Sequence, residues 1–232
     1  APVWSAPRRI CDGIMMNKPT VTRAGVWLLP AAIWAMPSNK VPGPEYVVDN
    51  TATTGSWVVC SKDQGKTFAP LGRSNVAGRA CDEHIVVEKN DGALWMLVRT
   101  KYGIGESFSQ DGGVTWSEGQ PSMTVTHIDS AARFFIRRLA SGNLLLVKHA
   151  PPSNKGRSHL TAYLSNDDGQ TWRGGLLLDE RVGVSYPDGV QAPDGTIYLI
   201  YDYSRHDARE ILMATFTEAD VLQGNAASAG AR

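Results

Sequence analysis

The chain has 232 residues with 23 basic and 23 acidic side chains, so its formal charge is zero and no broad attraction to nucleic acid or an anionic membrane is built in. Its 42% hydrophobic and 20% charged content is that of an ordinary globular protein, which excludes disorder over most of the length. The longest nearly apolar stretch, Gly25 to Met36, is interrupted by Pro30 and is far shorter than the ~20 residues of a spanning helix, so a water-soluble chain is expected.

Taken from the N-terminus, the chain alternates apolar strand, short glycine turn and second apolar strand. The unit occurs as Val21, Gly25 and Val26 to Ile33; as Ile85 to Glu88, Asp91-Gly92 and Leu94 to Val98; as Phe134 to Leu139, Gly142 and Leu144 to Lys148; and as Val190, Asp194-Gly195 and Thr196 to Tyr201. These strands are rich in Val, Ile, Leu, Trp and Tyr, and no long stretch has helical periodicity, so sheet is predicted throughout and helix is nearly absent. The segment from Pro37 to Ser56 reads as a long loop able to shape a binding mouth. Gly224 to Arg232, mostly small residues, reads as a flexible C-terminal tail beyond one domain over 1–223.

A second motif follows the strand pairs. Ser61, Asp63, Gly65, Thr67 and Phe68 recur as Ser109, Asp111, Gly113, Thr115 and Trp116, and again as Ser165, Asp167, Gly169, Thr171 and Trp172, giving S-x-D-x-G-x-T-[WF] three times. Trp4-Ser5 matches the tail of the same box and suggests a fourth, truncated copy. Serine and aspartate oxygens can accept backbone N–H bonds, glycine tolerates positive φ, and the aromatic ring can pack beneath, so each box is read as a turn fastener without chemistry. Strand pairs with fasteners repeated around an axis make a β-propeller. The mean interval from Trp4 to Trp172 is 56 residues, which yields roughly four blades in an all-β chain.

In a propeller the ends of the inner strands line the axis, which directs attention to Glu83, Arg99, Arg157 and Tyr186 rather than to the boxes. Each has a plain structural alternative. Tyr186, ahead of Pro187-Asp188-Gly189, could cap a turn; Glu83 could be a solvated edge residue; Arg99 could pair on the surface with Glu88 or Glu106; Arg157 could simply be exposed. His127, His149 and His159 lack a ligand spacing, and Cys11, Cys60 and Cys81 lack a CxxC spacing. No metal site, disulfide framework or cofactor is therefore expected, and the cysteines read as buried apolar residues. Gly103-Ile104-Gly105 lacks the third glycine and following helix of a nucleotide loop.

The boxes, the step of sixteen residues from Glu83 to Arg99 across an E-x-x-D-G turn, Gly156-Arg157 just before a box, and Ser185-Tyr186 followed by Asp194-Gly195 and Tyr201-Asp202 together resemble the sialidase (neuraminidase) family of six-bladed propellers. The resemblance implies a glycoside hydrolase that removes a terminal sialic acid, or a related acidic sugar, from a glycan with retention. Tyr186 would be the nucleophile, Glu83 its general base, and Arg99 and Arg157 two of three arginines on the substrate carboxylate. It also implies a secreted or periplasmic setting and a glycan partner. The family's first arginine and its acidic aspartate lie in a first blade to which nothing here corresponds, so the expectation is a piece of the fold, whose activity on its own is left open. Two other readings stay open: a non-catalytic glycan-binding or interaction propeller, and a hydrolase for a different acidic sugar.

Overall fold

The computed structural model describes residues 3–33, 54–80, 83–125, 131–152 and 156–224. Cys81, Asp82, His127, most of the 37–56 segment and the tail after Gly224 lie outside the described residues; Gly55 and Ser56 open a strand.

Among the described residues, fifteen strands form four antiparallel sheets, each a meander in chain order. The first contains β1 (Thr20–Val21), β2 (Trp27–Ile33), β3 (Gly55–Ser61) and β4 (Ala69–Ser74). The second contains β5 (Ile85–Glu88), β6 (Leu94–Thr100), β7 (Gly103–Ser109) and β8 (Gln120–Pro121). The third contains β9 (Phe135–Arg138), β10 (Leu144–His149), β11 (Leu160–Ser165) and β12 (Arg173–Asp179). The fourth has three strands, β13 (Val184–Gln191), β14 (Ile197–Tyr203) and β15 (Glu210–Phe216). The first strands of successive sheets touch one another, β1 on β5, β5 on β9 and β9 on β13, so the sheets are four propeller blades around a common hub. Polar bonds run between these inner strands: Thr20 Oγ1 donates to Val86 O at 2.6 Å, and Lys18 Nζ to Gly189 O at 2.8 Å.

Packing between blades explains the near-continuous apolar runs. In β6, Leu94, Met96 and Val98 face a core with Leu28, Val58 and Cys60 of the first blade, while Trp95 and Leu97 face Phe134, Ile136, Leu144 and Leu146 toward the third. In β10 the alternate set, Leu145 and Val147, packs on Val184, Ile197, Leu199 and Phe216 of the fourth. A strand buried on both faces needs apolar side chains at successive positions, because neighbouring residues point to opposite sides. The far face of the fourth blade differs: Tyr198, Ile200 and Met213 are exposed. Cys60 is buried as expected, whereas Cys11 is only half-buried beside Phe68.

The three boxes have one geometry. The serine hydroxyl donates to the aspartate and accepts the glycine N–H, and the aspartate takes the threonine N–H and hydroxyl; in the first box these distances are 2.8, 2.8, 2.9 and 2.6 Å. The same bonds recur in the other two boxes. Phe68, Trp116 and Trp172 pack against core clusters below. At Gly169, φ is +81° and a Cβ would lie 2.5 Å from the Trp95 ring, so glycine is required there. Trp4 differs from the three box rings in being 90% exposed.

One helix among the described residues qualifies the all-sheet expectation. α1 (Glu218–Gln223) packs on β12 and buries Val221, with a capping box in which Thr217 Oγ1 accepts from Asp220 N and Asp220 accepts from Thr217 N. Gly224 ends it in the left-handed conformation. No described helix is long and apolar enough to cross a membrane.

The box aspartates make an acid-stability prediction. Threonine side-chain bonds first, then threonine backbone bonds, hold Asp63, Asp111 and Asp167 down to about 2. A carboxylate depressed below its unfolded value of about 3.9 stabilises the fold above that value and ceases to as pH falls through 2. The urea midpoint should therefore drop between about pH 4 and pH 2, and Asp111→Asn should flatten that dependence while lowering the midpoint at pH 7.

Candidate active site

The inner strands run side by side, and their first residues share one end of the hub. Asn17 lies three residues ahead of β1, Glu83 two ahead of β5, Arg133 two ahead of β9, and Tyr186 stands near the start of β13. Arg99 comes from the end of β6 and Arg157 from the loop before β11. The glycine turns lie at the opposite end of the strand pairs, away from this cluster.

The cluster centres on the Glu83 carboxylate, which is 2% exposed. Tyr186 Oη donates to its Oε1 at 2.8 Å, and Arg99 Nη1 donates to its Oε2 at 2.7 Å. Arg99 Nη1 also lies 3.4 Å from Tyr186 Oη. Burying a carboxylate is costly unless its oxygens are paired, and here both are. For Arg99, burial disfavours the charge, but the hydrogen bond and charge of Glu83 outweigh it and raise the pKa. Arg99 is itself buried, and its Nε has no hydrogen-bond partner among the described residues. Neither Glu88 nor Glu106 takes it: Glu88 holds Arg23, and Glu106 accepts from Trp95 and Ser122.

Tyr186 reaches Glu83 through an irregularity in β13. Ser185 pairs with Asp202 and Asp188 with Ile200, which leaves one extra residue on β13, a bulge at Tyr186-Pro187. Pro187 has no N–H for the ladder, and Tyr186 sits at φ +53°, a left-handed conformation that costs a tyrosine of the order of 1–3 kcal/mol. The bulge re-aims the phenol toward the hub.

Guanidinium groups surround that ring. Arg205 Cζ is 4.3 Å from its centroid and ion-pairs with Asp202 at 2.6 Å; Arg133 and Arg157 are each 5.9 Å away. Arg157 Nη1 donates to Ser185 Oγ at 2.9 Å and Nη2 lies 3.4 Å from Ala131 O. Burial first, and the Arg99 charge second, push the Arg157 pKa down. Below it, buried His149 contacts Val184 O through Nε2 at 2.8 Å; burial, and then Arg157, push its pKa to about 4, so it is neutral at neutral pH. The described residues hold no group of three or more histidine, cysteine or acidic side chains suited to a metal ion.

All four residues singled out in the sequence thus meet at one end of the hub. The sequence reading missed Asn17, Arg133, Asp188 and Arg205. Asn17 and Arg133 precede inner strands just as Glu83 does, so the rule that found Glu83 applies to them as well. Asn17, Arg133 and Asp188 also close one end of a cavity of about 200 Å3 that continues between the inner strands to Glu88 and Arg138.

Residues 2–199 match the BNR repeat-like domain family. The chain belongs to that family. Among curated relatives, an anhydrosialidase of Macrobdella decora is 27% identical over 157 residues, which cover 61% of this chain and 21% of that protein. A sialidase of Bacteroides fragilis is 27% identical over 209 residues, covering 87% of this chain and 37% of that protein. The chain therefore spans well under half the length of the curated relatives it matches. Among solved structures, the intramolecular trans-sialidase of Ruminococcus gnavus in complex with oseltamivir carboxylate superposes with a TM-score of 0.61 at 21% identity, over 90% of this chain and 43% of that one. That likeness establishes the propeller fold.

The Glu83–Arg99 pair gives a stability prediction. Glu83→Ala leaves a buried guanidinium without its carboxylate and should lower unfolding free energy by about 3 kcal/mol. Double replacement, Glu83→Leu with Arg99→Met, should recover part of that loss in urea titrations, because removing both partners removes the orphaned charge.

Proposed function

We propose that the chain carries part of a glycosidase site of the sialidase type, acting on a terminal sialic acid or a related acidic sugar, with Tyr186 as nucleophile. The observation that carries this reading is the 2.8 Å bond from the Tyr186 phenol to the buried Glu83 carboxylate, with Arg99 on the second oxygen. A sialoside bears a carboxylate on its anomeric carbon. An aspartate or glutamate nucleophile would be repelled by it, whereas a phenol would not, and sialidases are known exceptions to the two-carboxylate scheme on this account.

In the proposed first step the Tyr186 oxygen bonds to the anomeric carbon, the aglycone leaves with the bonding electrons, and the phenolic proton passes to Glu83. Water then attacks the same carbon from the vacated side as the bond to the Tyr186 oxygen breaks. Glu83 returns its proton to the phenolate, the proton lost by the water goes to solvent and balances the one taken up by the departed aglycone, and the two inversions give net retention. Arg99 and Arg157 receive the sugar carboxylate. Their planar forks match it, and arginine stays charged at any working pH. The depressed pKa of Arg157, which has no carboxylate at ion-pairing distance among the described residues, marks a place where positive charge lacks compensation, which favours an anionic ligand.

A second reading, a propeller that binds an acidic glycan without cleaving it, uses the same arginines and omits the covalent step. The two separate with a 4-nitrophenyl sialoside, whose leaving group departs without help from a general acid. Turnover is expected, with Tyr186→Phe lowering it by about 10³-fold or more. Unchanged turnover in Tyr186→Phe would remove the tyrosine from the mechanism. Saturable binding of 2,3-didehydro sialic acid without turnover in the parent would favour the binding reading. Preference for a 4-nitrophenyl uronide would transfer the site to another acidic sugar.

A further inference from the structure

We infer that Arg133 and Asn17 are positioning residues, which set the Tyr186–Glu83 distance by tying together the backbones that carry the two side chains. Both are buried, at 4% and 5% exposure, and neither contacts the phenolic oxygen or the carboxylate. Arg133 Nη1 donates to Pro187 O at 2.9 Å, one residue beyond Tyr186, and Nη2 to Asp188 Oδ2 at 3.2 Å. Its Nε donates to Asn17 Oδ1 at 2.8 Å. Asn17 in turn donates through Nδ2 to Glu83 O at 3.0 Å and His84 O at 2.9 Å. One chain of hydrogen bonds therefore leads from the backbone beside Tyr186, through two side chains, to the backbone of Glu83.

The physical need for it is evident in the site itself. Tyr186 and Glu83 are 103 residues apart and sit on different blades, so no local structure fixes their separation. Tyr186 also occupies a left-handed conformation within a bulge, which persists only when its surroundings over-determine it. The guanidinium supplies three directed bonds from one rigid plane, and the amide converts a donor into two bonds to the next strand. Lysine at 133 would keep the charge but lose the fixed fork. Asp188, held on its other side by Lys18 at 2.9 Å, keeps the Arg133 charge neutralised within the hub.

The inference reaches catalysis only through the reading given above, so its test has one arm that needs no substrate. In the parent, Tyr186→Phe deletes the bond to Glu83 and should lower the urea midpoint. In an Asn17→Ala background the same change should lower it by half as much or less, since the pair is already loosened. Equal shifts in the two backgrounds would overturn the inference. Should Asn17→Ala not fold, Asn17→Ser, which keeps a smaller polar group, takes its place; loss of the fold in both would assign the pair a purely structural role and also overturn it.

The second arm uses 2,3-difluoro sialic acid, in which the Tyr186 oxygen bonds to C2, fluoride leaves with the electron pair, and Glu83 takes the phenolic proton. Asn17→Ala and Arg133→Lys should each slow the saturating labelling rate, followed by intact mass, by about 10-fold or more, with the half-saturating concentration within about twofold of the parent. A raised half-saturating concentration at an unchanged rate would place the residues in binding and overturn the inference. If the parent itself is not labelled, the sialidase-type reading fails, and the urea comparison still decides whether Arg133 and Asn17 set the pair.

Discussion

The Glu83 carboxylate is the constraint around which the hub is arranged. A buried carboxylate demands partners for both oxygens, and those available come from the same blade through Arg99 and from the fourth blade through Tyr186. The third blade contributes Arg133 and Arg157, and the first contributes Asn17. Every blade thus has a stake in one cluster. Displacing any blade strands a buried charge or a donor, so the integrity of the ring and the geometry of the site are the same physical requirement.

The fold separates fastening from chemistry. Box aspartates are bonded by local donors and strongly acidic, which suits them to hold turns. The residues at the starts of the inner strands are buried or half-buried and bonded across blades, so their properties depend on tertiary arrangement. Between the two levels lie strands such as β6, apolar on both faces, which fix each blade against two neighbours and transmit the placement of one hub residue to the next.

The boxes and the strand pairs were legible because both are local: a repeated spacing and a repeated alternation of apolar run and glycine turn. Glu83, Arg99, Arg157 and Tyr186 were legible from their places at strand ends together with a family resemblance. Arg133 and Asn17 stand ahead of inner strands as Glu83 does and carry the same positional signal; what a single sequence withholds is that these strand starts converge and that the two side chains bond each other. The bulge at Tyr186 was hidden for a similar reason: only the pairing of Ser185 with Asp202 and of Asp188 with Ile200 exposes the extra residue. The short helix has a signal of its own, Thr217-x-x-Asp220 followed by Gly224, but at six residues it is too short to show helical periodicity.

The arginines around Tyr186 differ in how far their charge is already compensated, and that difference indicates where an anion is best received. Arg99 is paired with Glu83, Arg133 with Asp188 and Arg205 with Asp202. Arg157 has no carboxylate at ion-pairing distance among the described residues; its bonds go to a hydroxyl and a peptide carbonyl. Half-buried beside Arg99, it is the guanidinium whose charge the surroundings disfavour, as its lowered pKa reflects. On the reading proposed above, a ligand carboxylate placed between Arg157 and Arg99 would relieve the like-charge repulsion, whereas one near Arg205 would have to compete with Asp202. On that reading the electrostatics favour an acidic group beside Arg157 and Arg99 over one beside Arg205.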